Sequence, residues 1–395
     1  MRIAFVTSYD SENIENWSGL GFHMAKGLEN QGIELIRVNC SVRFPLMQRV
    51  LKKILVICCH KKWQLERESS YLRKMANLVT QQLAGREYDI IFCASSLPVS
   101  FLKSHKPVVF YTDATYDALM MVYEEPNSIC KRSIWQGNLA EQRAIQKASL
   151  IFYTSDWAKH NAIVTYNARP EKIKRLPFGS NLPGLRTIDD ILILLQQRCL
   201  YKNKNFLFIG VDWKRKGAAI AIDTISKLRE AGIAATLTIV GPAVPTGLQL
   251  PGFVEYYPFI SKVEAWGRNK LDELFRTAHF FLLPTEADCT PVVFSEAASY
   301  GLPVITTPVG GCRSVVIDEV TGFCIEKETF AEDAVRKLLL LCQNKEKYEA
   351  FCLRSFEHYE KELDWKVITQ KIKQHLRLLK VSGTNIGWAR INNNN

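Results

Sequence analysis

Two carboxylates eight positions apart, Asp288 and Glu296, flank a loop-to-helix junction in the stretch Thr285-Glu-Ala-Asp-Cys-Thr-Pro-Val-Val-Phe-Ser-Glu296. The apolar run Phe280–Leu283 before it reads as a buried strand, and Thr290 followed by Pro291 reads as an N-cap with proline at the first helical position. Asp288 then lies just before a helix and Glu296 inside it. Proline has no N–H, so the amides at the helix start belong to Val292, Val293 and Phe294, and hydroxyl-rich or anionic ligands suit such an end. Taken singly, either acid is more often a turn former or a solvated helix carboxylate.

A cluster of cations adds to this. After an apolar strand ending at Gly210 comes Val211-Asp-Trp-Lys-Arg-Lys-Gly217, and then a helix from Ala218. Lys214, Arg215 and Lys216 crowd a helix N-terminus, where the macrodipole disfavours positive charge, and a bound anion would account for them. The alternative is a solvated basic loop. In the first half, Trp17-Ser-Gly-Leu-Gly-Phe22 joins a strand to a helix, and Gly19 would let backbone approach a pyrophosphate. Any tight strand-to-helix turn might hold such glycines. The segment Val109-Phe-Tyr-Thr-Asp113 ends another strand with an acid.

These motifs resemble the retaining glycosyltransferases of family 4, group 1, with the GT-B fold. The resemblance covers nearly the whole chain and is most specific in its second half. It implies that Asp288 approaches the hydroxyls of the transferred sugar, with aspartate where the family usually has glutamate, and that Glu296 holds the ribose. It places Lys216 on the nucleotide diphosphate. The family arginine position is occupied by Val211, so Arg215 or Lys214 would substitute. Arg215 is preferred, because its planar fork binds two phosphate oxygens at once. Gly210 and Gly19 match family glycines, Asp113 stands where many relatives have a histidine facing the sugar, and the base is expected against backbone at Ile260 and Ser261. The implied reaction retains anomeric configuration by front-face attack, with Lys216, Arg215, Asp288 and Asp113 as the catalytic set and neither metal nor cofactor.

The elements that must position these residues follow from the alternation of short apolar strands with amphipathic helices, the signature of parallel sheets covered on both faces. Strands are expected near 2–7, 33–38, 89–93, 107–112 and 149–154, and the pattern restarts at 204–210, 236–241, 279–283 and 303–306. The result is an α/β chain of two Rossmann-like, doubly wound domains facing a cleft: an acceptor-side domain at 1–182 and a donor domain at 183–355. A helix at 356–382 crosses back to the first domain, and a tail at 383–395 is expected to be disordered.

With 395 residues, 47% hydrophobic and 23% charged, the composition is that of a globular protein without a membrane-spanning run. The N-terminus reads as a strand rather than a signal peptide, which points to the cytoplasm. The eleven cysteines have no metal-type spacing and read as reduced thiols. A net charge of +11 calls for an anionic partner. That partner is read as a UDP-, GDP- or ADP-linked sugar, with a glycan or lipid-linked acceptor and no nucleic acid.

Residues 43–63 contain no acid, and Met47, Val50, Leu51, Ile54, Leu55 and Cys58 form a helical stripe beside Arg49, Lys52, Lys53, Lys61 and Lys62. This resembles a helix lying on an anionic membrane surface, which would make the protein peripheral to the inner face of the plasma membrane. The alternative is a helix packed on the first domain. Rival functions are a GT-B-fold nucleotide-sugar epimerase, a phosphorylase, or a nucleotide-sugar-binding protein without catalysis.

Overall fold

The computed structural model describes residues 1–391 except 126, 183 and 185, and leaves the side chains of 49, 55, 59 and 381–391 undescribed. The chain forms two compact units, Met1–Leu176 together with the chain from Ile368 on, and Pro177–Val367.

The first unit holds a six-stranded sheet. Its strands are β1 (Arg2–Thr7), β2 (Glu34–Asn39), β3 (Ile90–Cys93), β4 (Val108–Thr112), β5 (Leu150–Tyr153) and β6 (Ile173–Arg175). They run in the order β2-β1-β3-β4-β5-β6, every pair parallel. The central strands are continuous apolar runs because helices cover both faces, and Ile3, Phe5, Phe92, Val109, Phe110 and Phe152 are fully buried. The second unit repeats the plan with β7 (Lys204–Ile209), β8 (Ala235–Val240), β9 (Val254–Tyr257), β10 (Phe280–Leu283), β11 (Val304–Thr306) and β12 (Gly322–Cys324). Their order is β12-β11-β10-β7-β8-β9, again all parallel. Phe206 and Phe280 stack at 5.0 Å between ring centroids at the centre of this sheet.

The boundary falls at Leu176/Pro177 rather than after 182. The turn-rich segment that begins there is bonded to the second unit: the Phe178 carbonyl accepts from Ser295 Oγ at 2.8 Å, the Ser180 amide donates to the Leu363 carbonyl at 3.1 Å, and Asn181 Oδ1 accepts from Trp365 Nε1 at 2.8 Å.

The crossing helix is Trp365–Ile391, against the 356–382 read from the sequence: a separate helix, Lys345–His358, and a π-helical turn, Tyr359–Leu363, come before it. Only its first turn belongs to the second unit. From Ile368 onward it packs into the first, where Ile368, Ile372 and Leu376 are fully buried. There Thr369 fills the space that a side chain at Gly27 would need, and Lys380 pairs with Asp89 at 2.9 Å. The end of the expected tail, 392–395, lies outside the described residues.

Candidate donor site in the second unit

The loop between β7 and the helix Ala218–Glu230 is folded by its own backbone. The Arg215 amide donates to Asp212 Oδ1 at 2.8 Å, the Lys216 amide to the Asp212 carbonyl at 3.1 Å, and the Gly217 amide to the Lys214 carbonyl at 3.0 Å. Two glycines make this possible. A Cβ on Gly210 would come within 2.8 Å of Lys216 Cγ, so its absence lets the lysine stem cross the strand end. Gly217 has φ +76°, and a Cβ there would strike the Pro284 carbonyl oxygen.

The loop after β10 is tied to the first loop by backbone and hydroxyl bonds. The Glu286 amide donates to the Arg215 carbonyl at 2.7 Å, and Thr285 Oγ1 donates to the same carbonyl at 3.1 Å. Gly310, after β11, approaches the Asp288 carbonyl so closely that a side chain is excluded, and the Gly311 amide donates to the Cys289 carbonyl at 2.7 Å. Three loops at the carboxyl ends of β7, β10 and β11 therefore fix Asp288, which is buried.

Side chains converge on it. Lys216 Nζ pairs with Asp288 Oδ2, and Arg215 lies 3.9 Å from the same oxygen while donating to the Ala287 carbonyl at 3.0 Å. Lys214 and Val211 are exposed, so of the two candidates to replace the missing family arginine, Arg215 is the one turned toward Asp288. Burial first, and then the negative charge of Asp288, push the Cys312 thiol well above its ordinary range.

Thr290 does not cap the following helix, contrary to the sequence reading. Its Oγ1 donates to the Cys289 carbonyl at 2.6 Å, and the helix runs Val292–Ala298 with Pro291 as its extended N-cap residue. A proline at that place, with ψ 115°, shifts the start by one residue. The Phe294 amide turns back to the Pro291 carbonyl, which leaves Val292 and Val293 at the open end. Glu296 lies in this helix with its side chain buried, and it pairs with Lys262. Lys262 follows Ile260 and Ser261, which the sequence reading singled out for backbone contact with a base. Ile260 is buried, and the Ser261 carbonyl rests against Gly267. The side chain of Lys262 was missed as a site residue, since a contact across 34 positions leaves no periodic signal.

In the first unit, Gly19 ends a run of three left-handed residues, Trp17 at φ 47°, Ser18 at 55° and Gly19 at 82°, directly before the helix Leu20–Asn30. Its neighbour Gly21 is needed because a Cβ would meet the Tyr9 hydroxyl at 2.7 Å. Asp113 follows the carboxyl end of β4, half-buried, with Thr112 Oγ1 donating to its Oδ1 at 3.4 Å. Asp113 stands at the end of a strand and Gly19 at the start of the helix that follows the first strand, where the sequence places them.

The acid-free segment forms the helix Leu46–Cys59, and its apolar side chains are out in solvent: Met47, Val50, Leu51, Ile54 and Ile57 are all exposed. The packed-helix alternative is not what the described residues show. Lys52 and Lys53 flank this stripe. Lys61 donates to the Asn127 carbonyl and Lys62 pairs with Glu124 at 2.8 Å. The side chains of Arg49 and Leu55 lie outside the described residues. Among the described residues, no helix is long and apolar enough to cross a membrane, no group of three or more His, Cys, Asp and Glu could hold a metal ion, and no cysteine is joined in a disulfide.

The chain resembles known proteins in sequence and in fold. The family described as Glycosyl transferases group 1 matches residues 203–344, the part of the second unit that carries the paired carboxylates. Lipopolysaccharide glucosyltransferase WaaG of Escherichia coli K12 is 28% identical over 196 residues, which is 47% of this chain and 49% of WaaG. D-inositol 3-phosphate glycosyltransferase of Segniliparus rotundus is 26% identical over 41% of this chain and 37% of that protein. The chain thus spans about half or less of the curated relatives it matches. Among solved structures, Anabaena HepE in complex with UDP and glucose superposes with a TM-score of 0.62 at 17% identity, covering 95% of this chain and 99% of HepE. Sucrose-phosphate synthase from Thermosynechococcus elongatus gives a TM-score of 0.67 at 15% identity over 97% of this chain and 100% of that one. The fold is GT-B, two Rossmann-like units in one chain. In sequence through its second unit, and in fold over nearly all its length, the protein resembles the GT-B glycosyltransferases of group 1.

Proposed function

We propose that the protein is a retaining glycosyltransferase of family 4 type, moving a hexosyl group from a nucleotide diphosphate sugar to a glycan or lipid-linked acceptor. The observation that carries this reading is the convergence of Lys216 and Arg215 on buried Asp288, beside the Lys262–Glu296 pair, on loops at the carboxyl ends of one parallel sheet. Ligands of doubly wound sheets bind at such loop ends. The structures of HepE with UDP and glucose, and the glucosyltransferase activity in the name of WaaG, support a nucleotide sugar as donor.

In this reading Lys216 and Arg215 face the diphosphate, Asp288 takes the sugar hydroxyls and Glu296 the ribose. The amides of Val292 and Val293 and the backbone of Gly210, Ile260 and Ser261 complete the donor site. Gly19 and Asp113 are the candidate residues of the first unit. The leaving group is a stabilised anion, so the residues need only place cations and amides where its charge grows. The reading calls for no metal or cofactor. Titration with UDP, GDP and ADP tests it: one of them binds, and Glu296→Ala weakens that binding at least tenfold, as expected for a ribose diol held by one carboxylate. A variant with wild-type affinity removes Glu296 from the site, and a protein that binds none of the three is not a glycosyltransferase of this kind.

The exposed helix Leu46–Cys59 supports an acceptor presented at an anionic membrane on the cytoplasmic side. Each lysine or arginine near such a surface contributes about 1 kcal/mol, attenuated by salt. Vesicles with anionic lipid are therefore expected to bind the protein at low salt and release it as salt rises. Reversal of Arg49, Lys52 and Lys53 to glutamate abolishes binding and leaves nucleotide affinity unchanged. A wild-type protein indifferent to anionic vesicles at low ionic strength makes the acceptor a soluble one.

A further inference from the structure

The side chain of Glu296 is 2% exposed, and Lys262 engages one of its oxygens, Oε1. Among the described residues no hydrogen bond from the chain reaches the other oxygen, Oε2. Oε2 is not one of the buried polar atoms left without a partner, so it keeps an opening toward solvent, and a carboxylate buried this far gains from a further donor that reaches it there.

The lysine is held from a fixed backbone. Its carbonyl accepts from the Arg268 guanidinium at 3.1 Å, and the same guanidinium bonds the Val263 carbonyl. The Val263 amide donates to Ser261 Oγ at 3.2 Å. Gly267 lets the Ser261 carbonyl sit where any Cβ would collide with it, and Ile260 is buried at the start of the turn. Only the far end of the Lys262 stem has freedom, and that end is on Glu296.

A sugar hydroxyl has one proton to give and lone pairs to receive. The open Oε2 accepts the proton, and the ammonium of Lys262, with three N–H groups and one spent on Oε1, has donors left for the lone pairs. We infer that Lys262 is a specificity-determining residue of the nucleotide site, which together with Glu296 reads a ribose hydroxyl from both sides and so selects ribonucleoside diphosphates over their deoxy counterparts. The inference rests on the assignment of Glu296 to the ribose. A site built to bond a hydroxyl rejects the analogue that lacks it, because its own buried polar groups are then left unpaired.

The test is calorimetric titration of the whole protein with UDP, GDP and ADP, followed by the 2′-deoxy and 3′-deoxy forms of whichever binds, in the wild type and in Lys262→Met. The wild type is expected to prefer the ribonucleotide over at least one deoxy form by about 10–100-fold, the worth of one to two kcal-scale charged hydrogen bonds. In Lys262→Met that preference shrinks about tenfold, with the affinity for the discriminated deoxy form nearly unchanged. Equal weakening of all nucleotides with the preference intact means that Lys262 only neutralises Glu296, and it overturns the inference while leaving the donor site standing. A wild type that does not discriminate overturns it too. Failure of all three ribonucleotides to bind removes the glycosyltransferase reading itself, and the inference with it. If Lys262→Met is too unstable to titrate, Lys262→Gln, which keeps a donor for Glu296 but loses the charge, is judged by the same ratio.

Discussion

Replacing Lys216 with alanine is expected to lower kcat for sugar transfer about 10²–10³-fold, or roughly 3–4 kcal/mol, by analogy with the loss of one oxyanion donor. The Lys216 ammonium pairs with Asp288, and its stem is steered there by Gly210 and by the turn that Asp212 closes. A diphosphate leaving group gains charge as the glycosidic bond breaks, so a cation fixed beside it stabilises the transition state more than the ground state. The loss should therefore appear in kcat more than in KM. Arg215, 3.9 Å from Asp288, is left to face it in the variant, so the buried carboxylate should not be stranded and the fold should survive. Single-turnover rates measured beside thermal melting decide the matter. Activity within a factor of a few of wild type, in a protein that melts normally, would return the Lys214–Lys216 loop to a structural role.

Gly217→Ala should destabilise the second unit on the order of 3 kcal/mol, since a left-handed backbone and a collision with main chain add together. Its φ is +76°, and the new methyl would strike the Pro284 carbonyl oxygen, which belongs to the strand exit and cannot rotate away like a side chain. At roughly 2–4 °C per kcal/mol for a unit of this size, the melting temperature should fall by about 6–12 °C. Gly232→Ala is the control, because its φ is +89° but nothing lies within 4 Å of the added carbon. It should cost only about 1 kcal/mol. Equal losses at the two positions would mean that the approach of Pro284 is not what requires the glycine.

Much of this architecture was legible in the sequence because parallel sheets buried on both faces write themselves as continuous apolar runs. Phe280–Leu283 and Asn205–Phe208 could be placed within a residue or two for that reason. The edge strands Ile173–Arg175 and Gly322–Cys324 were not, as three residues carry no periodicity and one of them opens on glycine. That glycine is there because a Cβ would run into the Val304 carbonyl, a contact made across the sheet and invisible along the chain. In the site, the spacing of Asp288 and Glu296 was readable because a strand end and a proline bracket it. The rotation of Arg215 inward and Lys214 outward was not, since it is decided by the bond from the Arg215 amide to Asp212 and by the Ala287 carbonyl that the guanidinium meets. The misplaced cap at Thr290 has a backbone cause: Pro291 is extended, with ψ 115°, and itself takes the N-cap place, so the helix starts one residue later.

The helix Trp365–Ile391 is anchored by its first turn in the second unit, yet it seals the first one, with Ile368, Ile372 and Leu376 filling that core. On a ribosome this inverts the order of completion. Residues up to Leu176 emerge first, but the sheet they build keeps an uncovered apolar face until the whole of Pro177–Val367 has been synthesised. The half made second can therefore close its core before the half made first. Nascent-chain proteolysis would register this as protection arriving in the second unit ahead of the first, and during that interval the unsealed N-terminal sheet is the part of the chain most in need of a chaperone.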